Sequence, residues 1–509
     1  MRIAEEKDTG VQNRESALSM NAAEFRAVGH QLVDRIAHFL ESLPERNVAP
    51  GETPTEVRHA LRSDRPLPGK GEDAGPLLER AADLLLEHSL LNGHPRFLGY
   101  ITSSAAPIGA LGDLLAAAVN PNVGAWDLSP MASEIEAQTI RWIAEMMGYP
   151  TDCGGLFVSG GNMANLVCVL AARQAKAGWD MRKEGFKSTN LRIYCSSETH
   201  TWIQKAADIG GFGTGSIRWI ATNRQMQMDL SALRNQIVLD LANGDRPFLV
   251  IGTAGTVSTG AVDPLREMAM ICREFNLWFH VDGAYGALAV MSKDAPPDLS
   301  GLREADSIAV DPHKWLYAPL EAGCAFVRKP EHLRNAFAYH PPYYLFGTQA
   351  INYFDMGPQN SRGFRALKVW LALQQAGREG YAQMISDDIS LAKELFLQVS
   401  QRPEFEALSC SLSITTFRFV PPDLDRTHAE TEAYLDRLNR EVLSRLNNGG
   451  QVYLSNAIVD GKFALRACIV NFRTSQSDIR ELPSLVLQIG REIDAELKPD
   501  ALRTNGVEP

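Results

Sequence analysis

The clearest pattern near the start of the chain is an apolar stripe over residues 21–43. Hydrophobic residues such as Phe25 and Leu32 recur there every three or four positions, which predicts an amphipathic helix. Asn21 is suited to cap the start of this helix, and Pro44 is suited to end it. The pattern therefore predicts a well-delimited N-terminal helix.

A stretch rich in proline, glycine and charge follows over residues 50–75, and a second helix is predicted over residues 77–91. We interpret the stretch between the two helices as a connecting strap. A helix pair joined in this way has little core of its own. We expect it to pack on the main body of the protein or on a second subunit.

Between residues 105 and 349 short apolar runs alternate with helical stretches. Strands are predicted over residues 155–158, 191–195, 248–252 and 278–281, and helices over residues 164–176 and 265–275. Strands that alternate with helices favour an α/β fold with a mostly parallel central sheet. Functional groups in such folds gather at the carboxyl ends of the strands.

The last part of the chain has a different pattern. A long helix is predicted from about Phe364, followed by strands over residues 413–420 and 463–471 and helices over residues 431–446 and 476–497. We therefore predict three parts: an N-terminal helical segment (residues 1–104), a large α/β domain (residues 105–390) and a small C-terminal α+β domain (residues 391–509).

Composition and charge narrow the classes of partner. The chain has 509 residues and a formal net charge of −11, so an acidic surface disfavours nucleic acid. The polar N-terminus lacks a signal-peptide core, and no apolar run is long enough to span a bilayer. Seven scattered cysteines without a CxxC pair indicate neither a disulfide framework nor a metal site. We expect a soluble, cytoplasmic protein without a membrane partner.

The sharpest chemical motif is Val310-Asp311-Pro312-His313-Lys314-Trp315, which follows a strand-like run. Lysine is rarely buried, and desolvation lowers the pKa of a buried amine so that it can attack an aldehyde. The alternative from the motif alone is a solvated surface lysine. Lys314 is thus a candidate nucleophile.

A second motif, His280-Val281-Asp282-Gly283-Ala284-Tyr285, follows the apolar run 277–279. An aspartate at a strand end, with small residues after it, can face a flat heteroaromatic ring and keep a pyridine nitrogen protonated. The alternative is that Asp282 only caps the next helix.

A glycine pair lies between a predicted strand and helix in Val158-Ser159-Gly160-Gly161-Asn162-Met163. Glycines allow close approach of a ligand, and the free N–H groups at a helix start favour an anion. A tight turn is the simpler interpretation, and Asn162 is expected to be the N-cap in either case.

Two further polar residues follow predicted strands. His200 comes after strand 191–195, and its imidazole could stack on a cofactor ring or merely start a helix. Thr256 follows another strand, where its hydroxyl could reach a ring oxygen or satisfy a turn.

Together these motifs resemble the group II pyridoxal-5′-phosphate (PLP)-dependent amino-acid decarboxylases, the family of aromatic-L-amino-acid and glutamate decarboxylases. The resemblance spans residues 21–497 and also includes His94-Pro95-Arg96-Phe97 and the run from Phe364 to Trp370. It implies PLP fold type I (aspartate-aminotransferase-like), with a PLP-binding large domain and an N-terminal dimerisation segment. It also implies a homodimer with active sites at the subunit interface.

The resemblance assigns roles to residues of the candidate site. It makes Lys314 the Schiff-base lysine and Asp282 the partner of the cofactor's pyridine nitrogen. It places His200 against the ring, with Ala284 near the other face. It also implies that Tyr343, in a mobile loop, protonates the decarboxylated carbon.

The resemblance also implies the remaining cofactor contacts. Gly161, Asn162 and His313 would hold the phosphate, with Ser361 contributed by the other subunit. Thr256 would lie near the ring.

The chain departs from the family at three positions. Asp311 stands where animal aromatic decarboxylases have asparagine, which brings a carboxylate near the phosphate. Asn162 replaces a serine, and Gly124 stands where aromatic enzymes carry a pocket-lining phenylalanine. Arg466 either holds a carboxylate or braces a loop.

The expected activity is decarboxylation of an L-amino acid to its amine and CO2. Residues expected near the substrate favour an aromatic or bulky apolar side chain: Tyr100, Ile101, Thr102, Ser103, Trp126 and Tyr344. An aliphatic or acidic substrate, an aldehyde synthase on the same scaffold and an inactive PLP-binding scaffold are the alternatives. Aldehyde synthases of this family commonly lack the loop tyrosine, so Tyr343 favours simple decarboxylation.

Overall fold

The computed structural model describes residues 16–187, 190–340 and 350–502. The chain divides into two compact units, with the boundary between Leu91 and Asn92. No helix in the described residues is long and apolar enough to cross a membrane. The three-part division at residues 104 and 390 stays a prediction.

Over residues 16–91, the described part of the first unit, there are three α-helices: α1 Ala22–Ser42, α2 Pro54–Leu61 and α3 Ala74–Glu87. Asn21 caps α1 as predicted, because its side chain accepts hydrogen bonds from two backbone N–H groups of the first turn. Helix α1 packs against α3.

The prediction of a plain strap over residues 50–75 is wrong, since α2 lies within it. Thr53 and Glu56 form a reciprocal capping box, and Pro54 occupies the first turn. This local signal is sufficient to start a short helix in an otherwise irregular segment.

The second unit contains the remaining helices and all the strands of the described residues. Its helices are α4 Pro107–Val119, α5 Pro130–Met146, α6 Gly161–Lys176, α7 Met181–Glu184, α8 Trp202–Ile209, α9 Leu230–Ala242, α10 Leu265–Glu274, α11 Pro330–Phe337, α12 Ala366–Ser400, α13 Thr431–Asn448 and α14 Gln476–Leu497. Its strands are β1 Gly154–Val158, β2 Leu191–Ser196, β3 Ile217–Ile220, β4 Arg246–Thr253, β5 Trp278–Asp282, β6 Ser307–Val310, β7 Gly323–Val327, β8 Phe405–Ser411, β9 Ile414–Phe419, β10 Ser455–Val459 and β11 Lys462–Cys468.

A seven-stranded sheet forms the centre of this unit, in the order β1-β7-β6-β5-β4-β2-β3. Strand β7 runs antiparallel to both of its neighbours, and the other pairs are parallel. Strands β1, β5, β6 and β7 are buried along their whole length, as expected for a sheet enclosed in an α/β fold. The predicted mostly parallel sheet is confirmed.

A second, antiparallel sheet has the order β10-β11-β9-β8. Its inner face packs with α13 and α14 into a separate hydrophobic core. Helix α12 contributes Ile385 and Ile389 to the core of the large sheet, and Ala392 and Leu395 to this second core. The predicted α+β character of the C-terminal region is therefore correct.

Four strands were not predicted: β3, β7, β8 and β10. Strand β3 has two buried residues at its ends and two less buried residues between them, so it lacks a continuous apolar run. Strands β8 and β10 are only partly buried, so their polar residues obscure the strand pattern.

Gly323, the first residue of β7, packs directly against the backbone of Gly160. A Cβ atom at position 323 would lie 2.4 Å from Gly160 Cα, which is closer than real Cβ contacts allow. We therefore expect Gly323→Ala to destabilise the protein by about 1–3 kcal/mol through overpacking. Gly215→Ala is the matched control, because a Cβ atom there meets open space. Thermal unfolding of the three proteins checks this, and equal midpoints for both variants would contradict it.

Candidate active site

The candidate site lies at the carboxyl ends of the parallel strands. Asp282 ends β5, Thr253 ends β4, and Lys314 lies in the turn that follows β6. Strands β4 and β5 are paired so that Thr253 is opposite Asp282. The fold thus brings together residues that are far apart in the sequence.

These strand ends border a cavity of about 430 Å³. Six of the predicted site residues line it: Gly161, Asn162, His200, Asp282, Ala284 and Lys314. The sequence motifs therefore converge on one cavity, which also contains Asp311 and Trp202.

The Asp282 carboxylate is buried and hydrogen-bonded at both oxygens. Its Oδ2 accepts from Trp202 Nε1 at 2.6 Å, and its Oδ1 accepts from the Ala284 backbone N–H at 3.2 Å. Asp282 therefore does more than cap a helix: it presents a fixed carboxylate to the cavity.

His280 lies two residues before Asp282 and is fully buried. Its Nδ1 is 2.8 Å from Ser307 Oγ, and its Nε2 is 2.7 Å from Asn165 Oδ1. Burial lowers the pKa of His280 to about 4, although Asp282 acts in the opposite direction. The imidazole is therefore neutral near pH 7.

Lys314 is mostly buried and lies beside a carboxylate. Its Nζ is 3.2 Å from Asp311 Oδ2, and the same oxygen is 3.6 Å from His313 Nε2. Asp311 Oδ1 is buried and has no hydrogen-bond partner among the described residues. Lys314 is thus not a freely solvated surface lysine.

Asp388 on α12 holds the turn that carries Lys314 through two side-chain hydrogen bonds. Asp388 Oδ2 accepts hydrogen bonds from Trp315 Nε1 at 2.8 Å and from Tyr317 OH at 2.7 Å. Burial raises the pKa of Asp388 to about 7. The Trp315 ring also stacks on Tyr285 at 4.7 Å between centroids, which joins this turn to the Asp282 motif.

The glycine pair forms a cradle at the start of α6. Gly160 has φ of +130°, a conformation that favours glycine, and it is the N-cap of the helix. The expectation that Asn162 is the N-cap is therefore wrong, because α6 begins at Gly161. A Cβ atom at Gly161 would lie 2.6 Å from Asp311 Oδ2, so only glycine leaves the cradle open.

His200 lies in the turn between β2 and α8; it is an exposed residue that also borders the cavity. Its Nδ1 accepts the Trp202 backbone N–H at 3.2 Å, and partial burial lowers its pKa. A largely neutral imidazole beside the cavity fits the predicted position against a flat ring.

Three of the predicted cofactor contacts do not line this cavity, as far as the described residues form it. The Thr256 hydroxyl is 3.0 Å from Thr259 Oγ1 and accepts the Ala261 N–H, so it satisfies a turn. His313 has Nδ1 2.7 Å from the Ala322 carbonyl oxygen, and burial lowers its pKa. Ser361 is exposed.

The predicted substrate contacts fare differently. Tyr343 and Tyr344 lie outside the described residues. Ile101 lines the cavity, whereas Ser103 Oγ donates to the His313 carbonyl oxygen. Tyr100 is exposed and Trp126 donates to Glu134, so neither lines the cavity.

Arg466 is buried next to the cavity wall. Its Nη1 donates to the Val257 carbonyl oxygen, and its Nε has no hydrogen-bond partner in the described part of the chain. Burial lowers its pKa. The hydrogen bond to the Val257 carbonyl oxygen favours a role in which Arg466 braces a loop over one in which it holds a carboxylate.

Sequence reasoning missed Trp202, Val257 and Thr253, which all line the cavity. The sequence contained one signal for Trp202, because this residue follows the candidate His200 by two positions. Its contact with Asp282 spans 80 positions of the chain, and no spacing rule indicates it.

The described residues fit a PLP group. Gly160 and Gly161 leave an open cradle at the start of α6, where N–H groups favour a phosphate. Asp282 offers a charged partner to a ring nitrogen, and Lys314 offers an amine in the same cavity. Asp311 is the lining residue that fits a bound phosphate least well, because its carboxylate adds negative charge near the cradle.

Comparison with known proteins decides the family. The model of the pyridoxal-dependent decarboxylase conserved domain matches residues 54–419. This chain belongs to that family. It is therefore a PLP-dependent lyase of fold type I, and the resemblance found in the sequence is confirmed.

Relatives of the decarboxylase cover nearly its whole length. An aromatic-L-amino-acid decarboxylase of Bacillus atrophaeus is 32% identical over 94% of this chain and 97% of its own. A 4-hydroxyphenylacetaldehyde synthase of Rhodiola rosea is 29% identical over 93% of this chain and 96% of its own. The structure of Oryza sativa TDC with PLP and tryptamine superposes with a TM-score of 0.86, at 27% identity, covering 94% and 100%.

The neutral His280 makes the stability of the decarboxylase depend on pH. Its folded-state pKa of about 4 lies below the ordinary value of 6.5, so its contribution is complete above about pH 6.5 and falls as pH drops toward 4. Between about pH 6.5 and pH 4.5 we expect it to remove about 2 kcal/mol of stability. In His280→Gln this part of the loss should disappear.

Thermal unfolding of the apoprotein across this pH range measures the effect. His59→Gln, which replaces an exposed histidine of α2, is the control and should follow wild type. Parallel pH profiles for wild type and His280→Gln would contradict the assignment.

Proposed function

We propose that the enzyme decarboxylates an aromatic L-amino acid to the corresponding amine and CO2. The observation that carries the proposal is the presence of Lys314 and Asp282 in one cavity. Lys314 Nζ lies 3.2 Å from Asp311 Oδ2, and Asp282 Oδ2 lies 2.6 Å from Trp202 Nε1. Relatives named for aromatic amino acids support the substrate class.

Each of the proposed site residues has a distinct task. PLP, when bound, supplies an electron sink for the bond between Cα and the carboxylate carbon. Lys314 would hold the cofactor covalently through its amine and would release it to the substrate amine. Asp282 would place its carboxylate at the ring nitrogen, and His200 would stack against the ring.

The phosphate end is held by the cradle. Gly161 and Asn162 at the start of α6 provide backbone N–H groups, and we propose His313 as a supporting residue behind the cavity wall. Thr256 would lie near the ring. Tyr343 delivers the proton to Cα once CO2 has departed.

The cavity supports a large apolar side chain in the substrate. Ile101, Val257 and Tyr285 are among its lining residues, and none of them carries a charge. The glycine at position 124 does not oppose this proposal. A Cβ atom there would lie 2.1 Å from the Asn360 carbonyl oxygen, so the backbone itself requires glycine.

We also propose that the enzyme is a homodimer with the active sites at the interface. Helix α4 presents an apolar face in which Leu111, Leu114, Leu115 and Val119 are each more than half exposed. Such a patch is typical of a protein interface. Ser361 is exposed outside the cavity, which fits a residue that serves the site of the other subunit.

A cytoplasmic location is the simplest setting for this enzyme. All seven cysteines lie in the described residues, and each is unpaired. Five of them are buried, as is typical of thiols in a reducing compartment.

Release of CO2 from a panel of the twenty amino acids tests the activity. We expect the holoenzyme to prefer tryptophan, tyrosine or phenylalanine, and Lys314→Ala to reduce CO2 release to background. Borohydride reduction of the holoenzyme followed by peptide mapping should label Lys314. A preference for glutamate, aspartate or a diamino acid would refute the substrate class, and a label on another lysine would refute Lys314.

Some relatives are named as aldehyde synthases, which indicates an aldehyde as the second product that this scaffold can form. If Tyr343 donates the proton to Cα, Tyr343→Phe should lower amine formation by about 100-fold or more. In air the variant should then convert substrate, dioxygen and water to aldehyde, CO2, ammonia and hydrogen peroxide. Product analysis under air and under argon measures the change.

Tyr339→Phe is the control for this substitution. Tyr339 is exposed and its ring lies 3.9 Å from the Arg182 guanidinium, so loss of its hydroxyl should leave the product unchanged. An unaltered amine yield from Tyr343→Phe, with no effect of oxygen, would show that another group supplies the proton.

A further inference from the structure

The indole of Trp202 donates a hydrogen bond to Asp282, the carboxylate proposed as the partner of the cofactor's ring nitrogen. Trp202 Nε1 donates to Asp282 Oδ2 at 2.6 Å, and Trp202 is 2% exposed. The other oxygen of Asp282 accepts from the Ala284 N–H at 3.2 Å. With one donor on each oxygen, the carboxylate cannot rotate about its Cβ–Cγ bond without losing a hydrogen bond.

Trp202 is itself held firmly. It is the first residue of α8, and its backbone N–H donates to His200 Nδ1 at 3.2 Å. Its ring packs edge-on against His280, at 5.9 Å between centroids and 86° between planes. One residue therefore contacts both the proposed ring-stacking histidine and the proposed ring-nitrogen partner.

The chemistry of the donor explains why tryptophan suits this position. Lysine, arginine or protonated histidine beside Asp282 would neutralise the charge that a pyridine nitrogen needs. The indole N–H is uncharged and does not titrate, so it orients the carboxylate and leaves the charge intact. A hydrogen bond to a charged group is also stronger than one between neutral groups.

We propose that Trp202 is a positioning residue of the decarboxylase, which fixes the rotation of the Asp282 carboxylate so that its free lone pairs face the cofactor's ring nitrogen. This inference deepens the proposed function and rests on it. Trp202 acts through Asp282 and takes no part in proton transfer.

Two substitutions at position 202 separate the N–H group from the shape of the ring. Trp202→Phe removes the donor and part of the ring. Incorporation of benzothienylalanine in place of Trp202 keeps the shape but replaces the N–H by sulfur. For both variants we expect kcat to fall about 10-fold, with KM within about twofold of wild type. The visible absorption of the lysine-bound cofactor should change its pH dependence, and PLP should dissociate more readily.

Trp370→Phe is the matched control. Its Nε1 donates to Gln138 Oε1 at 2.7 Å, and Trp370 does not line the described cavity. We expect the control to keep the kcat and the absorption spectrum of wild type.

The outcomes are distinct. If both Trp202 variants keep the kcat and spectrum of wild type, Trp202 only packs and the inference is overturned. If only Trp202→Phe is impaired, shape matters and the N–H does not, which also overturns it. Absence of CO2 release by the wild type defeats the proposed function instead, because PLP binding and the absorption spectrum still report on the Trp202 contact.

Discussion

The active site depends on the backbone hydrogen bonds that join β5 to β6. The parallel register pairs Asp282 with Ala309, and the ladder continues past the ends of both strands. Gly283 N–H donates to the Ala309 carbonyl oxygen at 3.0 Å, and Asp311 N–H donates to the Ala284 carbonyl oxygen at 3.2 Å. These bonds tie the Asp282 motif to the Lys314 turn before any side chain takes part.

Side chains then fix what the backbone has brought together. Trp202 and Ala284 hold the two oxygens of Asp282, and Asp388 on α12 holds the Lys314 turn. An unpaired buried polar group costs free energy. Each of these hydrogen bonds therefore also limits the conformations that neighbouring side chains can adopt. The site is therefore rigid at the strand ends where a flat ring would be bound.

Continuous apolar runs made most of the large sheet predictable. Strands such as β5 are buried on both faces, so their sequence is distinctive, and α14 was predicted with the bounds that the structure has. Strands β3, β8 and β10 were missed because they are only partly buried and their polar residues resemble those of loops. Strand β7 was also missed, although it is buried along its whole length. Topological order placed Lys314 and Asp282 in one site, since parallel strands end on the same edge of the sheet.

The choice of hydrogen-bond partner was much less predictable. Thr256 could contact a ring or a turn, and in the structure its hydroxyl contacts Thr259 and the Ala261 N–H of a turn. Asn162 resembles an N-cap, but the φ of Gly160 starts the helix earlier. Both depend on local geometry that residue types alone do not specify.

The contact between Gly124 and the Asn360 carbonyl oxygen has a consequence for engineering. A pocket built in other enzymes around a bulky residue at this position cannot be transplanted into this scaffold, because even one methyl group collides with the main chain. Redesign of substrate choice is better begun at Ile101 and Val257, which line the cavity. The same backbone approach would also limit how this lineage could drift toward a different substrate during evolution.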